Sequence, residues 1–89
     1  MSVPIIKDFY ADWCGPCKMQ SPILEALKQK LGDKVEIQKI DVDTNGPLAG
    51  EYGIRVVPTL IIEKDGKLVQ RIEGVADLPT LESYLNPIL

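Results

Sequence analysis

The 89 residues contain no histidine, only two cysteines, one tryptophan and one phenylalanine. Without histidine no imidazole can activate a thiol nucleophile, which excludes a cysteine-protease type of mechanism. Two cysteines and no histidine also leave a structural zinc short of its four usual ligands, unless carboxylates or a second copy completed the set. No run of lysine and arginine could neutralise a row of phosphates: 10 basic residues face 13 acidic ones, for a net charge of −3 and a pI near 4.8. Nucleic acid is therefore not an expected partner. Apolar runs stop after a few residues, far short of the roughly 20 that cross a bilayer, so no membrane association is expected. Residues 1–4 lack the charged and apolar regions of a signal peptide, which leads to the expectation of a cytoplasmic protein. There is neither a G-x-G-x-x-G fingerprint nor a phosphate loop, so no cofactor is expected. With 45% hydrophobic and 26% charged residues and no linker or internal repeat, residues 1–89 read as a single globular domain, expected to be monomeric.

What is present is concentrated. Trp13 and both cysteines fall within the stretch YADWCGPCK, Tyr10 to Lys18. A bond between Cys14 and Cys17 encloses too short a loop to stabilise the chain much, because disulfide stabilisation grows with loop length. A compartment that keeps thiols reduced favours chemistry or metal binding over a permanent bond. A structural crosslink, half of a metal site and a reversible redox pair all compete here; loop length weighs against the first and ligand count against the second.

The surrounding periodicities describe an α/β chain. Residues 3–10 (VPIIKDFY) suit a largely covered strand. From Cys17 to Leu31, Ile23, Leu27 and Leu31 recur every four residues beside Leu24, opposite Glu25, Lys28, Gln29 and Lys30, which predicts an amphipathic helix kinked at Pro22 and ended by Gly32-Asp33. Residues 35–42 (VEIQKIDV) alternate as a second strand, and the glycine-rich segment 45–53 supports only a short helix. Lys64-Asp65-Gly66 predicts a hairpin between strands 59–63 and 67–72. Asp77 reads as the N-cap of a last helix with core positions Leu78, Leu81 and Leu85. The order predicts a mixed sheet with helices on its faces. Cys14 would then precede the first long helix, where unpaired N–H groups and the helix dipole favour a thiolate. Pro16 suits an early helical position, and Gly15 lets the turn bend.

WCGPCK resembles the active site of the thioredoxins, and the likeness runs along essentially the whole chain: DFYADWCGPCK with Asp8, then Pro22, KIDVD with Lys39, YGIRVVPT with Pro58, KDG with Gly66, and Gly74. A lowered cysteine pKa in such a motif is a known property of that family rather than a deduction from these residues. The resemblance implies a thioredoxin fold and a protein-disulfide reductase. In it Cys14 attacks a client disulfide, Cys17 resolves the mixed disulfide, Asp8 accepts the proton of Cys17, and Lys39 is the electrostatic partner of Asp8. An X-Pro bond is ordinarily trans, but the resemblance implies a cis bond at Pro58. It also implies a contact surface of Trp13, Gly15, Pro16, Val57, Pro58, Thr59, Gly74 and Val75 around an exposed Cys14. Disulfide-containing client proteins and a thioredoxin reductase-type electron donor are the implied partners.

The family usually begins with a further strand and helix, for which this chain has no room, so a four-stranded sheet with about three helices is expected. VEIQKIDV should then be an edge strand, with Lys7, Glu36 and Gln38 forming a partly wet patch away from the CxxC helix. A glutaredoxin-like, glutathione-dependent enzyme and a redox-indifferent binding module remain as rival readings.

Overall fold

Four strands and three helices follow in the order β1 (Ile5–Tyr10), α1 (Gly15–Leu31), β2 (Glu36–Asp41), α2 (Gly46–Glu51), β3 (Thr59–Lys64), β4 (Lys67–Glu73) and α3 (Leu78–Leu85), in a computed structural model that describes residues 2–89. The sheet order is β2-β1-β3-β4, with β1 and β2 parallel and the other neighbours antiparallel. Parallel pairing of β1 and β2 requires a long crossover, which α1 supplies. The β3–β4 connection needs only a tight turn, in which Asp65 (φ 54°) and Gly66 (φ 77°) take the positive angles anticipated for Asp-Gly. The mixed sheet and the edge position of β2 match expectation.

Alternation along the strands sorts the sheet into two faces. Ile6, Leu60 and Ile62 point to one side, where they pack with Leu24 and Leu27 of α1 and with Leu81 and Leu85 of α3. Phe9, Ile40 and Ile61 point to the other, where Leu48 and Ala49 of α2 and the neighbouring Tyr52 and Ile54 cover them. Beyond the reach of α2 this second face turns polar. Lys7 Nζ donates to the Tyr52 hydroxyl at 2.6 Å and lies 3.0 Å from the Glu63 carboxylate, while Gln38 donates to Glu36 at 2.6 Å. Glu36 is exposed and Lys7 and Gln38 are half-buried, so the partly wet patch is present.

Helix α1 starts two residues earlier than the apolar stripe predicts, because Gly15 and Pro16 occupy its first two positions. Its buried line is Cys17, Gln20, Leu24 and Leu27, with Ile23 and Leu31 at the margins. Pro22 has no N–H to offer the Lys18 carbonyl and is tolerated on the exposed side. Asp77 caps α3 as expected, accepting the Thr80 N–H at 3.0 Å. The core between sheet, α1 and α3 holds the helix that carries the CxxC motif. Replacing fully buried Leu81 by Ala should therefore lower the unfolding free energy by about 2–5 kcal/mol in urea titrations. The same change at Leu68, 62% exposed on β4, should stay within about 0.5 kcal/mol; equal losses at the two positions would mean that α3 does not carry the core.

Candidate active site

β1 ends at Tyr10 and the chain turns through Ala11–Trp13 into α1. The Cys14 N–H donates back to the Ala11 carbonyl at 3.1 Å, and Cys14 takes the N-cap position in extended conformation (φ −89°, ψ 112°). Caps are ordinarily oxygen-bearing side chains that accept an orphan N–H of the first turn. Here the acceptor is sulfur: the Cys17 N–H points at Cys14 Sγ from 3.1 Å. The two cysteines, with Cα atoms 5.3 Å apart, are joined in a disulfide. In the dithiol state the same amide and the positive end of α1 would face the Cys14 sulfur and favour its thiolate.

Opposite the sulfurs lies the loop leading into β3. The Val57–Pro58 bond is cis, as the family resemblance implies, and the Val57 carbonyl oxygen is 3.5 Å from Cys14 Sγ. The Pro58 carbonyl accepts the Gly74 N–H at 2.9 Å, which brings Gly74 and Val75 alongside. Gly74 sits at φ +96°, where a side chain is strained although a Cβ would meet nothing within 4 Å. Trp13 is 71% exposed, and its indole N–H donates to the Asp43 carboxylate at 2.9 Å. Gly15, Pro16 and Val75 are also exposed, and the half-buried Val57 packs against the two cysteines. A groove of about 180 Å³ runs beside them, lined by Trp13, Val42, Ala49, Ile54, Arg55, Val56 and Val57. A slightly larger one, about 220 Å³, lies between α1 and β2, away from the sulfurs.

Three expectations are corrected. Cys14 is not an exposed residue: only 4% of it is accessible, because in the disulfide its sulfur turns in to pack with Ala11, Cys17 and Val57. Thr59 does not belong to the contact surface. It is fully buried and its hydroxyl donates to the Val56 carbonyl at 2.7 Å, so it shapes the loop from beneath. Gly15 is not needed for the bend, since it has no positive φ and a Cβ there would meet nothing.

Asp8 lies on the α1 side of β1, with Ile6 and Tyr10 on either side, and is 1% exposed. Neither carboxyl oxygen has a hydrogen-bond partner. Desolvation raises its pKa from 3.8 to about 6, against the opposing pull of the Lys39 charge. Lys39 pairs with Asp8 across the β1–β2 register, yet its ammonium reaches out to Ser21 Oγ, 2.8 Å away, and over the Tyr10 ring. Lys39 therefore acts on Asp8 through space rather than as a contact ion pair. Gln20 is a residue that sequence patterning missed. It is fully buried one turn beyond Cys17, and its amide makes two hydrogen bonds with the backbone of Ala76. Its one signal in the sequence is a polar residue on the buried line of α1.

Comparison with known proteins agrees with this geometry. The family model described as Thioredoxin matches residues 1–87. The chain is 48% identical to the thioredoxin of Bacillus subtilis over 92% of its own length and 79% of that protein. It is 44% identical to the thioredoxin of Porphyra purpurea, covering 94% and 78%. Among solved structures it superposes on malaria parasite thioredoxin-2, described as a component of that parasite's protein secretion machinery, with a TM-score of 0.93 at 27% identity, covering 97% of this chain and 84% of that one. Another malarial protein superposes with a TM-score of 0.92 at 28% identity, covering 98% of both chains. With its Cys14–Cys17 pair at the head of α1, the chain belongs to the thioredoxin family of thiol–disulfide oxidoreductases.

Proposed function

We propose that Cys14 is the attacking sulfur and Cys17 the resolving one in the reduction of client-protein disulfides. The protein is a thiol–disulfide oxidoreductase. The observation that carries the assignment of roles is the Cys17 N–H aimed at Cys14 Sγ from 3.1 Å. It supports Cys14 as the sulfur stabilised as an anion in the dithiol state. The Cys14 thiolate attacks one sulfur of a client disulfide, forming a mixed disulfide and releasing the other client sulfur as a thiolate. Cys17, after losing its proton, attacks Cys14 Sγ; the internal disulfide forms and the second client thiolate leaves. Two electrons pass to the client, and the oxidised protein is the state described above. A reductase-type electron donor must return it to the dithiol.

Asp8 serves as the proton acceptor for Cys17, a role supported by its burial, its lack of partners and its raised pKa. Lys39 tempers that shift. An extended client segment lies across Trp13, Gly15, Pro16, Val57, Pro58, Gly74 and Val75, using the Val57 backbone in a short form of strand addition. The protein works as a monomer in the reducing cytoplasm, which suits a dithiol that must be regenerated. Among the described residues no helix is long and apolar enough to cross a membrane. The glutathione-dependent and binding-module readings are not favoured by the relatives.

Replacing Cys17 by Ser should leave Cys14 able to attack but unable to be displaced, so covalent adducts with insulin or other disulfide proteins accumulate and disappear on adding dithiothreitol. Cys14→Ser should give none; adducts formed by Cys14→Ser and not by Cys17→Ser would reverse the roles. A chain whose insulin reduction required glutathione would fit the glutaredoxin reading instead.

Between its unfolded value of 3.8 and its folded value of about 6, Asp8 binds more proton in the folded state. Its contribution to stability is therefore greatest below pH 3.8 and is lost as pH rises through 6, by about 3 kcal/mol in all. The stability of Asp8→Asn relative to the parent protein should accordingly rise between about pH 4 and pH 8, as read by urea unfolding at each pH. In rapid-mixing measurements the resolving step should slow by about tenfold or more in Asp8→Asn and lose its inflection near pH 6. A pH-independent stability difference together with an unchanged resolving step would remove Asp8 from the mechanism.

A further inference from the structure

We propose that Gln20 is a positioning residue, which clamps the Gly74–Ala76 segment to the helix bearing the cysteines and thereby sets how well protein clients dock. The inference rests on the redox reading above. Gln20 is fully buried on α1, three residues after Cys17, on a line otherwise occupied by Leu24 and Leu27. An apolar side chain would satisfy that line. Instead, Gln20 Nε2 donates to the Ala76 carbonyl at 3.0 Å and Gln20 Oε1 accepts the Ala76 N–H at 2.7 Å. A buried amide is tolerable only with such partners, and a two-point contact fixes the orientation of the peptide groups it meets.

Two residues back, the Gly74 N–H donates to the Pro58 carbonyl at 2.9 Å. The segment is thus tied at one end to the Val57–Pro58 loop and at the other to α1. These ties close a circuit: Cys14 Sγ faces the Val57 carbonyl, Pro58 holds Gly74, Ala76 holds Gln20, and Gln20 shares α1 with Cys17. Val75 lies in the middle, 39% exposed, as the residue of the clamped segment turned towards solvent. Without the Gln20 contacts that segment would keep its Gly74 anchor and the packing of the Ala76 methyl in the core, but lose its hydrogen bonds to α1. An extended client, which needs the loop and the segment held in one arrangement, would then bear the entropy of ordering them. A small disulfide, which needs only the sulfurs, would not.

Gln20→Met keeps approximate volume and removes both hydrogen bonds. Its KM for insulin should rise about fivefold, the factor that one net hydrogen bond represents. Reduction of a small aromatic disulfide, dithiobis(nitrobenzoate), should change by less than about twofold. Amide hydrogen exchange adds a readout on the parent protein itself: the Ala76 N–H should be strongly protected and the Val75 N–H much less so. Equal loss with both substrates, no loss with either, or an Ala76 amide exchanging as freely as an exposed loop would each overturn the clamp. A parent protein that reduces neither disulfide would instead overturn the redox reading, a result that Gln20→Met cannot mimic.

Discussion

The backbone N–H of Cys17 directed at the sulfur of Cys14 is the contact around which the molecule is organised. A single amide in water would do little for a thiolate. At the head of α1 it acts with the aligned peptide dipoles of the helix, and it does so in a nearly buried setting where fixed partial charges are weakly screened. The arrangement lasts only while the helix start stays in register with β1 and with the Val57–Pro58 loop. Leu24 and Leu27 provide that constraint, packed against Ile6, Leu60 and Leu81. Core packing in this small chain therefore acts directly on the chemistry, since a helix that slid or frayed would lose its cap and its anion site together.

Two polar side chains on the α1 side of the sheet are handled in opposite ways. Gln20 is buried with both kinds of polar atom partnered, so it orders its surroundings with little penalty. Asp8 is buried with neither oxygen partnered, so it stores an unfavourable charge at neutral pH. Keeping such a group requires a fold stable enough to bear it. The lysine on the neighbouring strand offsets part of that penalty from a distance while remaining exposed, so Asp8 keeps a proton affinity that a tight ion pair would abolish.

Much of this was legible in the residue pattern. Element order, the Asp-Gly hairpin and the Asp77 cap follow from local periodicity and turn chemistry, which act over a few residues, whereas the edge position of β2 came from the family likeness. Asp8 could be suspected because it alternates with Ile6 and Tyr10 in an apolar strand. What escaped depends on contacts distant in sequence. Gln20 meets Ala76 only after α1 and α3 have both docked on the sheet, and no local pattern announces such a pair. Thr59 adjoins the loop in sequence, yet it is the first residue of β3, a strand covered on both faces over Thr59–Ile62. The low accessibility of Cys14 follows from the bond to Cys17 and from packing against Val57, neither of which periodicity reports. The cis bond at Pro58 came from family likeness, since the residues alone favour trans.

The turn at Asp65-Gly66 has a consequence of its own. β3 leaves the sulfur-bearing end of the molecule at Thr59 and reaches the turn after Lys64, roughly 17 Å further on at the usual rise per strand residue. Both turn residues are exposed, and the backbone there already has the shape of a tight reversal. Such tips accept insertions and attachments more readily than any other part of a sheet. A dye, a surface linker or a fused peptide grafted at that pole would leave the opposite one free to meet its clients, giving the molecule a built-in handle.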